Sequence, residues 1–142
     1  MADVDNLVEL LRELFFIEAD FTFSRTRQQG GLKLLLAEDL DRTCVIAAEA
    51  EGKVVGMCSA QTRISTAEGK VTAVIEDVVV SEKWRGKGIG RKLMEEIEEW
   101  GRMRNIECFQ LLADKNNLSG VAFYRRQNWE MTQLICLTKR VH

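Results

Sequence analysis

Residues 85–92 read RGKGIGRK, so glycines at 86, 88 and 90 alternate with Arg85, Lys87, Ile89 and Arg91, and Lys92 follows. Glycine lets a ligand reach the main chain without a Cβ in the way, and the cations add positive charge. The stretch therefore suits an anion held by backbone amides. It follows a β-branched run, IEDVVV, and precedes Ile89, Leu93, Met94, Ile97 and Trp100 at helical spacing. A turn from a strand into a helix N-terminus directs unpaired N–H groups outward together, and a pyrophosphate fits best there. Two other phosphate sites fail on spacing. The mononucleotide loop Gly-x-x-x-x-Gly-Lys-Ser/Thr is missing from the sequence. The dinucleotide fingerprint, counted from Gly86, would need its last glycine where Arg91 stands.

Glu76 and Asp77 are the two acids of the nearly all-apolar run 71–80. A carboxylate buried there without a cation would hold its proton more tightly than usual and could serve as a general base. Glu76 is the first candidate, acting directly or through water, and Asp77 the second. Each could equally be a lysine-paired carboxylate. Side chains alternate along a strand, so only one of the two is expected to face a cleft. Phe21 and Phe23, in the stretch after the first helix, either shape an acceptor pocket or form a small satellite core. Asn117, in KNN, is a ligand-binding amide or an ordinary turn or helix-start residue. Trp84, Trp100 and Trp129 are expected in the core or a cleft wall. Cys44, Cys58, Cys108 and Cys136 are far apart and the one histidine is His142. That set holds no metal centre and reads as buried, reduced thiols of a cytoplasmic protein.

The elements that must position these groups are legible in outline. The 142 residues fit one domain, 1–142, with mixed charge and a net of −2, which opposes a general nucleic-acid-binding role. The N-terminus carries Asp3, Asp5 and Glu9 among spaced apolar residues, which fits neither a signal peptide nor a membrane span. Apolar spacing of three and four predicts a helix over 4–17 and a short one over 32–37, with Gly30-Gly31 as a hinge or break. Three strand-like runs over 44–80, joined by Glu-Gly-Lys turns, predict an antiparallel meander whose third run lies mid-sheet. A helix from Ile89, stopped at Asn105, then a strand in IECFQLLA, implies a crossover and a parallel neighbour for the central strand. A helix over SGVAFYRRQ, capped by Ser119, and a last strand over WEMTQLICLTKRV complete the chain.

The string Arg85-Gly86-Lys87-Gly88-Ile89-Gly90 resembles the Arg/Gln-x-x-Gly-x-Gly/Ala signature of the GCN5-related N-acetyltransferase (GNAT) superfamily, in which it binds the acetyl-CoA pyrophosphate. IEDVVV resembles that family's central strand. NLSGVAFYRRQNW resembles its second half, with the family spacing from Asn117 to Tyr124. The likeness is strong from Cys44 onward and only architectural before it.

The resemblance implies an α/β (α+β) fold: a mixed, mostly antiparallel, twisted sheet flanked by helices and splayed between its two central parallel strands. The family's usual first strand is missing, which leaves a sheet edge open and invites a homodimer. It implies acetyl-CoA as cosubstrate, held at Arg85–Arg91 and by Asn117, with strand N–H groups near Val78, Val79 and Val80 polarising the acetyl oxygen. Tyr124, the single tyrosine, falls where the family places the acid that protonates the thiolate. The acceptor is expected to be a small-molecule amine, with Phe21, Phe23 and Asp77 near it. A peptide or protein acceptor, a non-catalytic acyl-CoA sensor and a nucleic-acid binder are the other readings; the Glu95–Glu99 cluster opposes the last. No membrane partner is expected.

Overall fold

The computed structural model describes every residue except Met1 and Ala19. The chain forms two compact units, Met1–Leu111 and Leu112–His142.

In the first unit, α1 (Ala2–Ile17) and α2 (Arg25–Ala37) precede a four-stranded sheet of β1 (Thr43–Ala50), β2 (Lys53–Ser65), β3 (Lys70–Val80) and β4 (Phe109–Leu111). A single 3-10 turn, Glu82–Trp84, and α3 (Ile89–Arg102) lie between β3 and β4. The strands run in sequence order, with β1–β2 and β2–β3 antiparallel and β3–β4 parallel. This is the mixed, mostly antiparallel sheet expected. In this four-stranded sheet β1 is one edge and β4 the other.

The turns follow from their residues. Glu51 and Gly52 both have positive φ, at 52° and 75°, which gives the tight β1–β2 hairpin the twist of its strands. Gly69, at φ 71°, closes the β2–β3 turn, where its N–H donates to Ser65 O at 2.8 Å. Asn105 ends α3 in the left-handed region at φ 60°, and Ile106 N–H reaches back to Gly101 O at 2.9 Å.

Alternation along β2 divides the core. Met57 packs with Val79 under α1 and α2, against Val8, Leu11 and Leu32. Gly56 and Cys58 point the other way: a Cβ on Gly56 would lie 3.2 Å from Leu93 Cδ1, and Cys58 Sγ–H donates to Leu93 O at 3.6 Å. Helices therefore cover both faces. Gly101 lets α3 approach β4 closely, since a Cβ there would sit 2.4 Å from Phe109 Cζ.

Three expectations change. α2 begins at Arg25, so Gly30 and Gly31 lie inside it and form no hinge. Gln28 carries that early start by accepting the Ser24 N–H at 2.7 Å. Residues 129–142 form no strand. In the second unit α4 (Leu118–Arg126) is capped by Asn117, not Ser119: Asn117 Oδ1 accepts the Gly120 N–H at 3.2 Å. It ends at Asn128, φ 69°, with Trp129 N–H on Tyr124 O at 3.0 Å.

Candidate active site

The site is built where β3 stops being a regular strand. Ser59 pairs with Glu76 and Met57 with Val79, so Asp77 and Val78 together face the single residue Cys58. That is a β-bulge, and Asp77 adopts φ 56° within it. On the other side, β4 pairs with β3 only at Ala73, Val74 and Ile75. Among the described residues, β3 has no strand partner on that edge from Glu76 to Val80, so the two parallel strands splay. Main-chain groups at Val78, Val79 and Val80 lie along this opening.

The bulge also overturns the alternation argument. Glu76 and Asp77 both line one cavity of about 490 Å³, because the left-handed residue turns the second side chain back toward the first one's face. Leu11 and Phe15 of α1 and Arg27, Gln28, Gly31 and Leu32 of α2 form one wall. Glu38, Thr43 and Gln61 complete it on the sheet side. Three carboxylates against one guanidinium make the lining attractive to cations.

The two acids differ. Glu76 is exposed, so the burial that would have favoured it is not met. Asp77 is half-buried, and its carboxyl is pushed up to about 6, first by burial and then by the Glu76 charge, against a lowering by Ser59. Ser59 Oγ–H lies 3.2 Å from Glu76 O and 3.4 Å from Asp77 Oδ2, so one hydroxyl proton serves two acceptors.

The glycine turn follows the end of β3. Gly86 and Gly88 have φ of 76° and 84°, and a Cβ at either would meet open space. The requirement for glycine there lies in the backbone and not in a neighbour. Gly88 is the N-cap of α3, and the first helical bond runs from Lys92 N–H to Gly88 O at 3.2 Å. The amides of Ile89, Gly90 and Arg91 thus precede every i−4 carbonyl of the helix. Such unpaired amides after a glycine turn at a helix start suit an anion. Arg85 Nε–H donates back to Val80 O at 2.9 Å, and Lys87 Nζ stands 5.0 Å over the Trp84 ring. Both cations are thus held beside the glycine turn. Arg91 pairs loosely with Glu95 at 3.8 Å.

Other sequence candidates lie elsewhere. Neither Phe21 nor Phe23 lines the cavity: Phe23 packs on the α1 core under Arg12, and Phe21 stacks on Phe15 at 5.2 Å. Through Phe15, Phe21 touches the wall indirectly. In the second unit, Tyr124 is half-buried and makes edge contacts with Phe123 and Trp129, at 5.3 and 6.1 Å. Asn117 serves as the α4 cap.

The cysteines divide. Cys58 is buried and its thiol is pushed up to about 12 by burial, with Cys44 adding to it, so it is inert at neutral pH. Cys136 is exposed, against the expectation of burial. Among the described residues no group of three or more His, Cys, Asp or Glu could hold a metal ion, and no helix is long and apolar enough to cross a membrane.

Arg27, Gln28, Glu38 and Gln61 were missed as site residues. The Ser24–Gln28 cap was the available signal for the first two, because it extends α2 back over them.

The acetyltransferase (GNAT) family model matches residues 4–129 and so spans both units. An uncharacterized N-acetyltransferase of Archaeoglobus fulgidus is 32% identical over 128 residues, which cover 89% of this chain and 86% of that protein. The L-2,4-diaminobutyric acid acetyltransferase of Halomonas elongata is 28% identical over 93 residues; these are 66% of this chain but only 47% of that enzyme. The fold also matches an aminoglycoside antibiotic 6'-N-acetyltransferase from Acinetobacter haemolyticus, with a TM-score of 0.81 at 19% identity over 99% of this chain and 94% of that one. The chain belongs to the acetyltransferase (GNAT) family.

Proposed function

We propose that this protein transfers an acetyl group from acetyl-CoA to a primary amine of a small molecule, by direct attack with both substrates bound. The observation that carries the reading is the acid-lined cavity at the β3 bulge, where Asp77, a group able to accept a proton, stands on the strand that β4 leaves unpaired after Ile75. The match from 4 to 129 supports reading both units as one acetyltransferase domain over 1–142. Relatives named for diaminobutyric acid and for aminoglycosides support a small amine. The free thiols of Cys44, Cys58, Cys108 and Cys136 support a reducing, cytoplasmic setting.

Acetyl-CoA supplies an acetyl group already activated as a thioester. The amides of the Gly86–Gly90 turn, with Arg85, Lys87 and Arg91, hold its diphosphate. Main-chain N–H groups between Val78 and Val80 donate to the acetyl oxygen, where negative charge develops during transfer. Asp77 accepts the proton that the amine must lose, directly or through a water. Its proton affinity, centred near 6, leaves it ionised yet basic at neutral pH. Glu76, exposed in the same cavity, raises that affinity and draws in the ammonium form of the acceptor. Tyr124 returns a proton to the departing thiolate. Asn117 fixes the start of α4 and so the position of Tyr124 along it.

The test is an acceptor panel with acetyl-CoA, reading free thiol, on wild type, Asp77→Asn, Glu76→Gln and Tyr124→Phe. Loss of a general acid or base costs roughly 10²–10⁴-fold in turnover. Asp77→Asn and Tyr124→Phe should lose that much with acetyl-CoA affinity kept, and Glu76→Gln less. A fully active Asp77→Asn would remove the assigned base. Tight acetyl-CoA binding with no turnover on any amine would make the protein an acyl-CoA sensor instead.

A further inference from the structure

Ser59 puts a buried hydroxyl beside the acids of β3. It lies two residues after Met57 on β2, so it faces α1 and α2 with that residue, and it is 1% exposed. A polar group this deep costs stability unless it is hydrogen-bonded. The hydroxyl has one proton to give and lone pairs with which to accept. Two acceptors stand in front of it, Glu76 O at 3.2 Å and Asp77 Oδ2 at 3.4 Å. Both distances exceed the roughly 2.7–2.8 Å usual between hydroxyl and acceptor oxygens, so the proton is committed to neither. The β3 bulge creates this arrangement. Asp77, at φ 56°, turns its carboxylate back beside the carbonyl of the residue before it, and one serine then meets both.

We propose that Ser59 is a positioning residue that follows the proton on Asp77: its hydroxyl donates to Oδ2 while the carboxylate is ionised, and accepts from Oδ2–H while Asp77 is protonated, its own proton then turned to Glu76 O. No proton passes to or from the serine; its O–H only rotates. Oδ2 therefore keeps a hydrogen bond in both states, and the Asp77 side chain holds one orientation before and after it takes a proton from the amine. The Glu76 carbonyl is essential to this exchange. Without a second acceptor, the serine proton would be buried and unpaired whenever Asp77 is protonated. The consequence for acetyl transfer rests on Asp77 being the base.

The two bonds are unequal. A hydroxyl donating to a carboxylate makes a charge-assisted bond, the stronger of the two. The serine therefore lowers the proton affinity of Asp77, against the burial and the Glu76 charge that raise it. The other charged groups that line the cavity with Asp77 and Glu76 are Arg27 of α2 and Glu38 at its C-terminal end. α1 contributes Leu11 and Phe15, β1 Thr43 and β2 Gln61, none of which ionises near neutral pH. Deleting the Ser59 hydroxyl leaves all of these in place.

Carboxyl ¹³C NMR titration of Asp77 in wild type, Ser59→Ala and Ser59→Thr, its signal identified by loss in Asp77→Asn, tests this together with the pH profile of kcat/KM for the first three. Accepting two or three hydrogen bonds lowers a carboxylate by about two units, so deleting one should raise the Asp77 midpoint by roughly 0.5–1 unit in Ser59→Ala. Ser59→Thr keeps the hydroxyl and should keep the wild-type midpoint. The acid limb of kcat/KM should rise with the midpoint, which makes Ser59→Ala about 3–10-fold slower than wild type at pH 5 and less so at pH 8. An unchanged midpoint in Ser59→Ala overturns the proposal, because a role in packing alone lowers Tm and leaves the midpoint where it was. A Ser59→Thr midpoint raised as far as that of Ser59→Ala overturns it too. Should Ser59→Ala fail to fold, Ser59→Cys, a far weaker donor, takes its place under the same criteria. A midpoint that rises while the acid limb stays fixed upholds the role of the hydroxyl and removes Asp77 as the base, so the two readings fail separately.

Discussion

Replacing Asp77 by asparagine should make the protein more stable and less active at once, with a pH dependence that identifies the cause. The Asp77 carboxyl is raised from 3.8 to about 6 in the folded chain. Between those values the native state holds a proton that the unfolded state has released. Unfolding then releases protons, and stability falls as pH rises from about 4 to about 6 and stays lowered above. At 1.36 kcal/mol per pH unit, a difference of about two units costs the wild type at most about 3 kcal/mol at pH 8. Partial exposure of the group reduces this toward 2.

Asparagine is nearly isosteric, can still accept from Ser59 Oγ–H and cannot ionise. Asn also tolerates φ 56° well, which adds a few tenths of a kcal/mol independent of pH. For a chain of 142 residues, 2–3 kcal/mol is about 6–9 °C in Tm. The assay is thermal unfolding of wild type and Asp77→Asn from pH 4 to pH 8. The Tm gap should be small at pH 4, open between 4 and 6 and stay constant above. An equal gap at every pH, or a less stable variant at pH 8, would refute the claim that this carboxylate is held against its preference for water.

The remaining predictions concern backbone and packing. Gly30→Ala, inside α2 with nothing within 4 Å of its Cβ, should raise stability by about 1 kcal/mol in urea unfolding. Gly101→Ala should lower it by about 1–3 kcal/mol, because its Cβ would overlap Phe109 at 2.4 Å. Gly120→Ala brings a Cβ to 2.7 Å from Asn117 Nδ2, and displacing that cap should cost about 1 kcal/mol of stability. Gly31→Phe fills the α2 wall of the cavity and should raise the KM for the amine with the acetyl-CoA KM unchanged; equal changes in both would mean the cavity is not the acceptor site.

What the sequence revealed and what it hid have physical reasons. α1 and α3 were legible because each buries a stripe at spacings of three and four, such as Val4, Leu7, Val8 and Leu11. Glu51-Gly52 marked the first hairpin because that turn needs two residues at positive φ. The start of α2 was hidden by Gly30-Gly31, a pair that weakens helix propensity yet is outweighed by the Ser24–Gln28 cap and by Leu32 in the core.

Residues 129–142 misled because strand composition is a property of side chains, whereas a strand exists only by pairing. The bulge at Asp77 could not be read because alternation assumes an unbroken register; an aspartate, which tolerates left-handed backbone, was the faint sign of it. Arg27, Glu38 and Gln61 came together only through the packing of α2 over the sheet, which no local pattern encodes.

The central claim, that the glycine turn after β3 holds the diphosphate of acetyl-CoA, is tested most directly by isothermal titration of acetyl-CoA into wild type and into Gly88→Val, with thermal unfolding of both. Gly88 stands at φ 84°, where a β-branched residue forces the turn open. Wild type should bind one acetyl-CoA per chain, and a folded Gly88→Val at least tenfold more weakly. No heat from wild type, or equal affinity in the folded variant, would contradict the account.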